Sequence, residues 1–313
     1  KAAVYFKLAA DDGDEESIFK FANILFRGIG IPSNMQEASL YFKKSIEKGN
    51  IEAMRIYGKM LFYGDGVEMN QDEACHYFKM AADQNNVDAM FDYGKLLYER
   101  KENQNKDEEA IHYLKMAADN NNVNSMLLYA NLLDSGNNVV QVDKEKAFHY
   151  YKLAADGENT KAAIQVANRL FSGIGCTEDK EEAAHYFKKT AHQGITNSMV
   201  RYANMLYVGD GIEQNKEIAS IYYKMAADAG KHESALIYAK MMYNGDGVDE
   251  NKEEAAIYYK SLADKGDTDS MFMYGKMIEN GEGVKVDIEN AAKYYKMAAE
   301  KGHIEAKKAF KRI

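Results

Sequence analysis

The chain has 313 residues, of which 28% are charged, and its formal net charge is −9. An acidic protein lacks the basic surface that binds nucleic acids and anionic membranes, so we expect no nucleic-acid partner. No run of apolar residues approaches the roughly 20 that span a bilayer, which predicts no direct insertion into a membrane.

The chain begins in the middle of a repeated pattern. Residues 1–12, KAAVYFKLAADD, have the sequence of a second helix whose first helix is missing, so we expect a fragment of a longer chain. A complete copy lies at 50–85. Its small and apolar residues recur at helical spacing, Gly64 and Gly66 end the first helix, and Asn70 caps a second one. Neither helix can bury its apolar face alone, which predicts that successive copies stack.

Three series of residues repeat this unit along the whole chain. A tyrosine followed two residues later by lysine recurs with a step of 36 residues, once 37, at Tyr5, Tyr41, Tyr77, Tyr113, Tyr150, Tyr186, Tyr222, Tyr258 and Tyr294. From the second tyrosine onward, an alanine stands three residues before it, at Ala38, Ala74, Ala110, Ala147, Ala183, Ala219, Ala255 and Ala291. A small residue of the first helix, where two backbones must approach closely, stands at Ala22, Gly58, Gly94, Ala130, Ala167, Ala203, Ala239 and Gly275.

This period predicts an all-α fold, one α-solenoid over residues 1–313 with about 18 helices. Eight helix pairs are expected at 14–48, 50–84, 86–120, 122–157, 159–193, 195–229, 231–265 and 267–301, followed by an unpaired helix at 303–313. The second helices should follow N-cap positions at Asn34, Asn70, Lys106, Asp143, Asp179, Asn215, Asn251 and Asp287, of which only Lys106 is not a preferred cap. Left-handed turn residues are expected at Gly13, Gly49, Asn85, Asn121, Gly157, Gly194, Gly230, Gly266 and Gly302, with Gly157 one place early in the series.

Two copies depart from the pattern inside the helix pair. The third copy replaces the glycine loop by 100–106, which has neither a glycine nor a good cap, and the fourth carries the extra residue within 134–143. We expect these to be the most mobile internal segments of the chain.

The pattern Ala-x-x-x-Tyr-Gly-x-x-Leu-x-x-Gly-x-Gly-Val, followed by Ala-x-x-Tyr-Phe-Lys-Met-Ala-Ala, resembles the Sel1-like repeat, a relative of the tetratricopeptide repeat. The resemblance covers the whole chain. It implies a right-handed superhelix of helical hairpins that acts as an adaptor or scaffold in multi-protein complexes. No nucleophile and base stand out in the sequence, so we expect a non-enzymatic protein without a cofactor.

The Gly-x-Gly segments contain two of the three glycines that a dinucleotide-binding loop requires. A helix precedes them where a dinucleotide fingerprint requires a strand, and no third glycine follows in register. The favoured interpretation is therefore that these glycines end the first helix of each pair.

Four histidines, His76, His112, His149 and His185, occupy one position of the second helix. Neighbouring helices pack about 8–10 Å apart, which is too far for consecutive histidines to share one metal ion. Apolar residues stand at this position in other copies, which suggests a half-buried structural site. A pH-sensitive surface is the alternative.

The residue after the small position of each first helix is always Asn or Lys. We call this set the first-helix series: Asn23, Lys59, Lys95, Asn131, Asn168, Asn204, Lys240 and Lys276. The resemblance to tetratricopeptide proteins implies that it points into a concave groove, where Asn binds peptide backbone and Lys binds carboxylates. Lys161 and Arg201 lie on the same stripe in the middle of the chain. Toward the flanks we expect Glu52 to pair with Lys59, Asp92 with Lys95, Glu233 with Lys240 and Asp269 with Lys276. A solvated helix face is the alternative interpretation.

The sequence thus predicts a scaffold that binds an extended peptide or a partner helix in its groove. One alternative is an architectural spacer that contacts other subunits, or further repeats, through its ends or convex face. The two cysteines, Cys75 and Cys176, form no disulfide framework, which favours a cytoplasmic location. A signal sequence upstream would instead indicate a regulatory or quality-control adaptor in the ER lumen.

Overall fold

The computed structural model describes residues 2–100 and 104–313, and this part of the chain contains eighteen α-helices and no strand. The helices are α1 Ala2–Asp11, α2 Glu15–Arg27, α3 Met35–Glu47, α4 Ile51–Tyr63, α5 Gln71–Ala82, α6 Val87–Arg100, α7 Gln104–Asp119, α8 Val123–Ser135, α9 Lys144–Asp156, α10 Thr160–Ser172, α11 Lys180–His192, α12 Thr196–Val208, α13 Lys216–Asp228, α14 His232–Asn244, α15 Lys252–Asp264, α16 Thr268–Asn280, α17 Ile288–Glu300 and α18 Ile304–Arg312. The predicted repeat of two helices per 36 residues is confirmed.

The chain divides into two compact units, residues 1–162 and 163–313. Consecutive helices pack against each other from α1 to α9 and from α11 to α18, within a repeat and between repeats. That both units form one solenoid stays a prediction. None of the helices that the structure describes combines the length and the apolar character needed to cross a membrane.

Seven of the eight predicted N-caps are confirmed. Asn70 is typical, because its Oδ1 accepts a 3.1 Å hydrogen bond from the Glu73 N–H, and such a bond stabilises a helix by about 1 kcal/mol. The same bond forms at Asn34, Asp143, Asp179, Asn215, Asn251 and Asp287. In the third repeat, α7 begins at Gln104, two residues before the expected cap Lys106. Residues 101–103 of the segment expected to be mobile lie outside the described residues.

The turns between repeats adopt the predicted left-handed conformation at Gly and Asn, with one exception. In the fourth repeat Gly157 has φ −77°, and the left-handed residue is Glu158 with φ 64°. The prediction for Gly157 was wrong because Glu158, 36 residues before Gly194, keeps the turn position. Gly157 is needed for a different reason: a Cβ atom there would lie 2.5 Å from Val123 Cγ2.

The expected close approach of helix backbones is confirmed by burial. The alanine that precedes each tyrosine is fully buried, as is each alanine of the small-residue series in the first helices. Where that residue is glycine, the space is tighter still. A Cβ atom on Gly58 would lie 2.8 Å from Phe78 Cε1, and one on Gly94 would lie 2.9 Å from the Ala110 carbonyl oxygen.

The repeated tyrosine joins successive repeats. In five of the described repeats its hydroxyl donates to an acidic residue at the end of the preceding second helix, for example at 2.7 Å from Tyr41 to Asp11 and 3.1 Å from Tyr294 to Asp264. Tyr222 is hydrogen-bonded to His192 instead. Burial, and then the bond to Asp11, raises the pKa of Tyr41 to about 12. Most members of this series therefore link successive repeats.

The Gly-x-Gly segments also join repeats. Asp246, between Gly245 and Gly247, accepts hydrogen bonds from Lys216 Nζ at 2.8 Å and Tyr207 Oη at 2.6 Å, both in the preceding repeat. These bonds hold the pKa of Asp246 below its usual range. A Cβ atom on Gly247 would lie 2.5 Å from Lys216 Cβ and 2.7 Å from its carbonyl carbon. The contacts support the structural interpretation of these glycines.

Candidate protein-binding surface

The first-helix series lies on the surface of the array. Lys95, Asn131, Asn204 and Lys240 are exposed, and the other four members are half-buried. The small residue before each member is buried, so the boundary between core and solvent falls between two consecutive residues. The series therefore marks one edge of each first helix. Its role in binding stays a prediction.

Two asparagines of the series are held by buried tyrosines of their own repeat. Tyr151 Oη donates to Asn131 Oδ1 and Tyr223 Oη donates to Asn204 Oδ1, both at 2.6 Å. Since each oxygen accepts from a tyrosine, the Nδ2 group of each amide is left to donate to a ligand. Our sequence analysis missed this pairing. Its only signal was a Tyr 20 or 19 residues after the Asn.

In the unit 163–313, a depression between α10 and α12 brings together three predicted residues: Asn168, Arg201 and Asn204. Asn168 has Phe187 at the position of the tyrosine and makes no side-chain hydrogen bond to a described residue. The Arg201 guanidinium carbon lies 5.8 Å from the ring centre of Phe171 in α10, a cation–π contact.

The next depression, between α12 and α14, shares Asn204 with the first and adds Lys240. Its apolar lining includes Val208, which is 65% exposed. Lys276 lines a further depression between α16 and α18. The predicted residues of this unit thus line a row of depressions along its first helices. Asn131 and Lys161 belong to the other unit, where both are exposed.

In the unit 1–162, Lys59 and Lys95 line one depression together with Asp92 and Glu99. The ion pairs differ from the prediction. Lys59 Nζ lies 3.1 Å from Asp92 on the neighbouring first helix, and Lys95 Nζ lies 3.8 Å from Glu99. The expected pairs were wrong because neighbouring first helices bring Asp92 closer to Lys59 than to Lys95.

Glu52 pairs with Arg55, not with Lys59. The Arg55 Nη2 atom lies 2.8 Å from Glu52 Oε1, one turn away along α4, whereas Lys59 is two turns away. Burial opposes ionisation of Glu52, but the Arg55 guanidinium holds its pKa below the usual range. The expected pairs Glu233–Lys240 and Asp269–Lys276 do not form within the described residues, and Asp269 lies 3.7 Å from His303 instead.

The four aligned histidines are exposed, which corrects the expectation of a half-buried site. Apolar residues at the same position of other repeats are also exposed, by 60% at Leu40, 53% at Ile221 and 65% at Ile257. Within residues 2–100 and 104–313, no group of three or more His, Cys, Asp or Glu residues is arranged to hold a metal ion.

Two lysines of the second helices, Lys79 and Lys224, are engaged between repeats. Lys79 Nζ lies 2.7 Å from Glu109, and Lys224 Nζ lies 3.1 Å from Glu254, 30 residues further along the chain in each case. Bonding to Glu109 raises the pKa of Lys79 despite the opposing effect of burial. Lys240, in the first-helix series, forms no ion pair with a described residue. Lys240 is therefore more available to a partner than Lys79 or Lys224.

A family model for the Sel1 repeat matches nine segments of the chain: 1–14, 16–50, 51–86, 87–122, 123–159, 160–195, 196–231, 232–267 and 268–303. A search of curated proteins gave no match.

Two solved structures of repeat proteins share the fold of the chain. One is c5321 of uropathogenic Escherichia coli, a protective antigen displaying an SLR fold, with a TM-score of 0.83 and 21% identity. The alignment covers 98% of this chain and 66% of c5321, so the chain spans about two thirds of that protein. The other is a Sel1 repeat protein from Oxalobacter formigenes, with a TM-score of 0.61 and 23% identity over 98% of this chain and 90% of that one.

Proposed function

The chain belongs to the Sel1 repeat family, and from this premise we propose that it is a protein-binding scaffold that holds an extended peptide along its first helices. Proteins of this family generally act as scaffolds for protein–protein interaction. The residues proposed to contact the peptide in the unit 163–313 are Asn168, Arg201, Asn204, Lys240 and Lys276. In the unit 1–162 the corresponding residues are Lys59, Lys95, Asn131 and Lys161.

One contrast carries this proposal. Several side chains that recur elsewhere in the repeat are bonded to the neighbouring repeat, as Tyr294 is to Asp264 and Lys224 is to Glu254. Asn204 is exposed, and its amide oxygen is already taken by Tyr223. Its Nδ2 group therefore offers a donor of fixed orientation, and the carbonyl groups of an extended peptide are acceptors that match it.

The spacing of the series also suits an extended peptide. Neighbouring helices pack about 8–10 Å apart, and an extended chain advances about 3.3 Å per residue. One member of the series would thus meet every third residue of the peptide. The depression between α12 and α14, with Val208 in its lining, would receive an apolar side chain between those contacts.

The test is to map where peptides bind. A random peptide display library is selected on the protein, and the tightest binders are resynthesised with a photoreactive group for crosslinking and mass spectrometry. We expect crosslinks on α10, α12 and α14. Crosslinks confined to the second helices α11, α13 and α15 would contradict the proposal.

A second candidate is an architectural element that contacts other subunits through its second helices. The observation that favours it is the exposure of Leu40, Ile221 and Ile257, each more than half exposed on its helix. Ile221 and Ile257 hold equivalent positions of two successive repeats, and together they could meet an apolar partner surface. The crosslinking experiment separates the candidates, because this one places the contacts on the second helices.

A further inference from the structure

Buried tyrosines reach from the second helix of a repeat to an acceptor on its first helix. Tyr223 bonds to Asn204, and Tyr295 Oη donates to Glu279 Oε2 at 2.6 Å. Tyr259, the equivalent residue of the repeat between them, is fully buried, and its hydroxyl has no hydrogen-bond partner among the described residues. A buried hydroxyl without a hydrogen-bond partner lowers the stability of the folded state. The missing partner of Tyr259 therefore requires a physical explanation.

The reason lies at the two acceptor positions. Lys240 stands where Asn204 stands one repeat earlier, and Tyr243 stands where Glu279 stands one repeat later. An ammonium group cannot accept a hydrogen bond, and the Tyr243 hydroxyl donates to Glu282. The rings pack alike in both repeats, with centroids 6.2 Å apart for Tyr207 and Tyr223 and 6.4 Å for Tyr243 and Tyr259. By this equivalence the Tyr259 hydroxyl lies beneath Lys240.

A second lysine lies on the adjacent helix. Lys276 Nζ of α16 is 5.9 Å from the ring centre of Tyr243, which itself packs on Tyr259. Lys240 is exposed and forms no ion pair with a described residue. The surface between α14 and α16 therefore carries two ammonium groups above a buried hydroxyl donor.

The nearby carboxylates are already bonded to other donors. Glu279 accepts from Tyr295 at 2.6 Å and from Arg312 at 2.5 Å. Glu282 accepts from Tyr243 and from Asn280, and these bonds hold its pKa below the usual range. Donors thus exceed acceptors at this surface, and the missing group is a negatively charged acceptor.

We propose that the surface between α14 and α16 binds a carboxylate group, which accepts hydrogen bonds from the Tyr259 hydroxyl and the Lys240 ammonium. The proposal rests on the proposed function, because the carboxylate would belong to the peptide held along the first helices. Burial raises the pKa of Tyr259, so its hydroxyl keeps the donated proton over the ordinary pH range.

The carboxylate has two possible sources, a chain terminus or an acidic side chain, and three small probes distinguish them. N-acetyl-leucine carries a terminal carboxylate, N-acetyl-glutamic acid α-amide carries a side-chain carboxylate, and N-acetyl-leucinamide carries neither. The protein is labelled with 13C in its tyrosine rings, and the Tyr259 signal is assigned with a Tyr259→Phe variant. Probes of this size are expected to bind in the millimolar range.

We expect one or both acids, but not the amide, to shift the Tyr259 signal saturably while leaving the Tyr223 signal in place. Lys240→Met should weaken this binding about tenfold or more, because it removes a charge-assisted hydrogen bond. Lys240→Asn should abolish the response, since its oxygen would take the Tyr259 hydroxyl as Asn204 takes that of Tyr223. Circular dichroism of each variant establishes that the helices are retained.

A Tyr259 signal that no acid moves, or that the amide moves equally, overturns the carboxylate site. Either result is distinct from failure of the proposed function, which is read from peptide crosslinks to α10 and α12. Peptide binding there, with a Tyr259 signal that does not respond, would refute the carboxylate site alone. Absence of peptide crosslinks to the first helices would refute the proposed function, whether or not the Tyr259 signal responds.

Discussion

The Tyr223 hydroxyl donates a 2.6 Å hydrogen bond to the amide oxygen of Asn204, joining the buried second helix of a repeat to the surface of its first helix. The bond satisfies a buried polar group and fixes the orientation of an exposed one. The next repeat has Lys240 at the equivalent position, and both effects are absent there, because the Tyr259 hydroxyl has no described acceptor. One residue type in the repeat therefore affects both stability and the groups offered to a partner.

Lys240→Asn should stabilise the protein. The new amide oxygen would accept from the Tyr259 hydroxyl, and satisfying a buried hydroxyl is worth about 1 kcal/mol in the free energy of unfolding. Urea unfolding measures the gain. Lys276→Asn is the matched control, because Tyr295 beneath it already bonds to Glu279. Equal effects of the two substitutions would show that the Tyr259 hydroxyl does not lack a hydrogen-bond acceptor.

Glu158→Gly should also stabilise, because Glu158 is held at φ 64°, where a side chain costs about 1–2 kcal/mol. Glycine in the unfolded chain has more freedom, which offsets part of the gain, so we expect about 0.5–1 kcal/mol. The reverse substitution, Gly194→Glu, is the control. A Cβ atom at Gly194 would meet nothing within 4 Å, so its cost comes from the backbone alone. A gain in both variants would contradict this account.

The local features of the fold could be predicted from the sequence. An N-cap needs only the residue itself and the backbone three residues on, which is why Asn70 and its equivalents were identified. A buried small residue such as Gly58 or Ala183 follows from helical spacing. These signals are strengthened by repetition, since the same contact recurs with each copy.

The side-chain partners across helices could not be predicted in the same way. That Tyr223 reaches Asn204 depends on the relative rotation of two packed helices, which periodicity does not contain. The pairing of Asp92 with Lys59 depends on contact between neighbouring repeats, whereas the sequence suggested partners on the same helix. Gly157 was misread because a conspicuous glycine stands next to the turn position that Glu158 occupies.

Gly66→Ala should destabilise by about 1–3 kcal/mol more than Gly30→Ala. Both glycines are left-handed and hold the same place in their loops, so the backbone costs cancel in the comparison. A Cβ atom on Gly66 would lie 2.4 Å from the carbonyl carbon of Met35, whereas one on Gly30 would meet nothing within 4 Å. The excess is the cost of overpacking the contact between two repeats. Thermal unfolding of the two variants gives the difference directly, and equal losses would refute a role in repeat docking.

Alkaline pH should destabilise the array. Burial, and then a bond to Asp11 or Asp264, raises the pKa values of Tyr41 and Tyr294 to about 12, from about 10 in the unfolded chain. A raised pKa means that the contribution is fully present below pH 10 and is lost as the pH rises toward 12. Urea unfolding at several pH values from 8 to 11 should therefore show a falling free energy above pH 10. Tyr294→Phe should reduce that slope, and an unchanged slope would contradict the assignment.

The last prediction tests the peptide site without disturbing the fold. Asn168→Ala removes an amide that makes no side-chain hydrogen bond to a described residue. Asn204→Asp keeps the acceptor for Tyr223 and removes the Nδ2 donor, whereas Asn204→Ala would leave a buried hydroxyl unpaired. The double variant Asn168→Ala with Asn204→Asp should weaken binding of a selected peptide about tenfold to a hundredfold, because each lost neutral hydrogen bond is worth about 0.5–1.5 kcal/mol. Its melting temperature should stay close to that of the parent.

The control variant carries Lys188→Ala and Lys260→Ala, which alter exposed residues of the second helices α11 and α15. Isothermal titration calorimetry with one peptide on all three proteins decides the matter: affinity lost in the control and kept in the double variant would place the partner on the second helices.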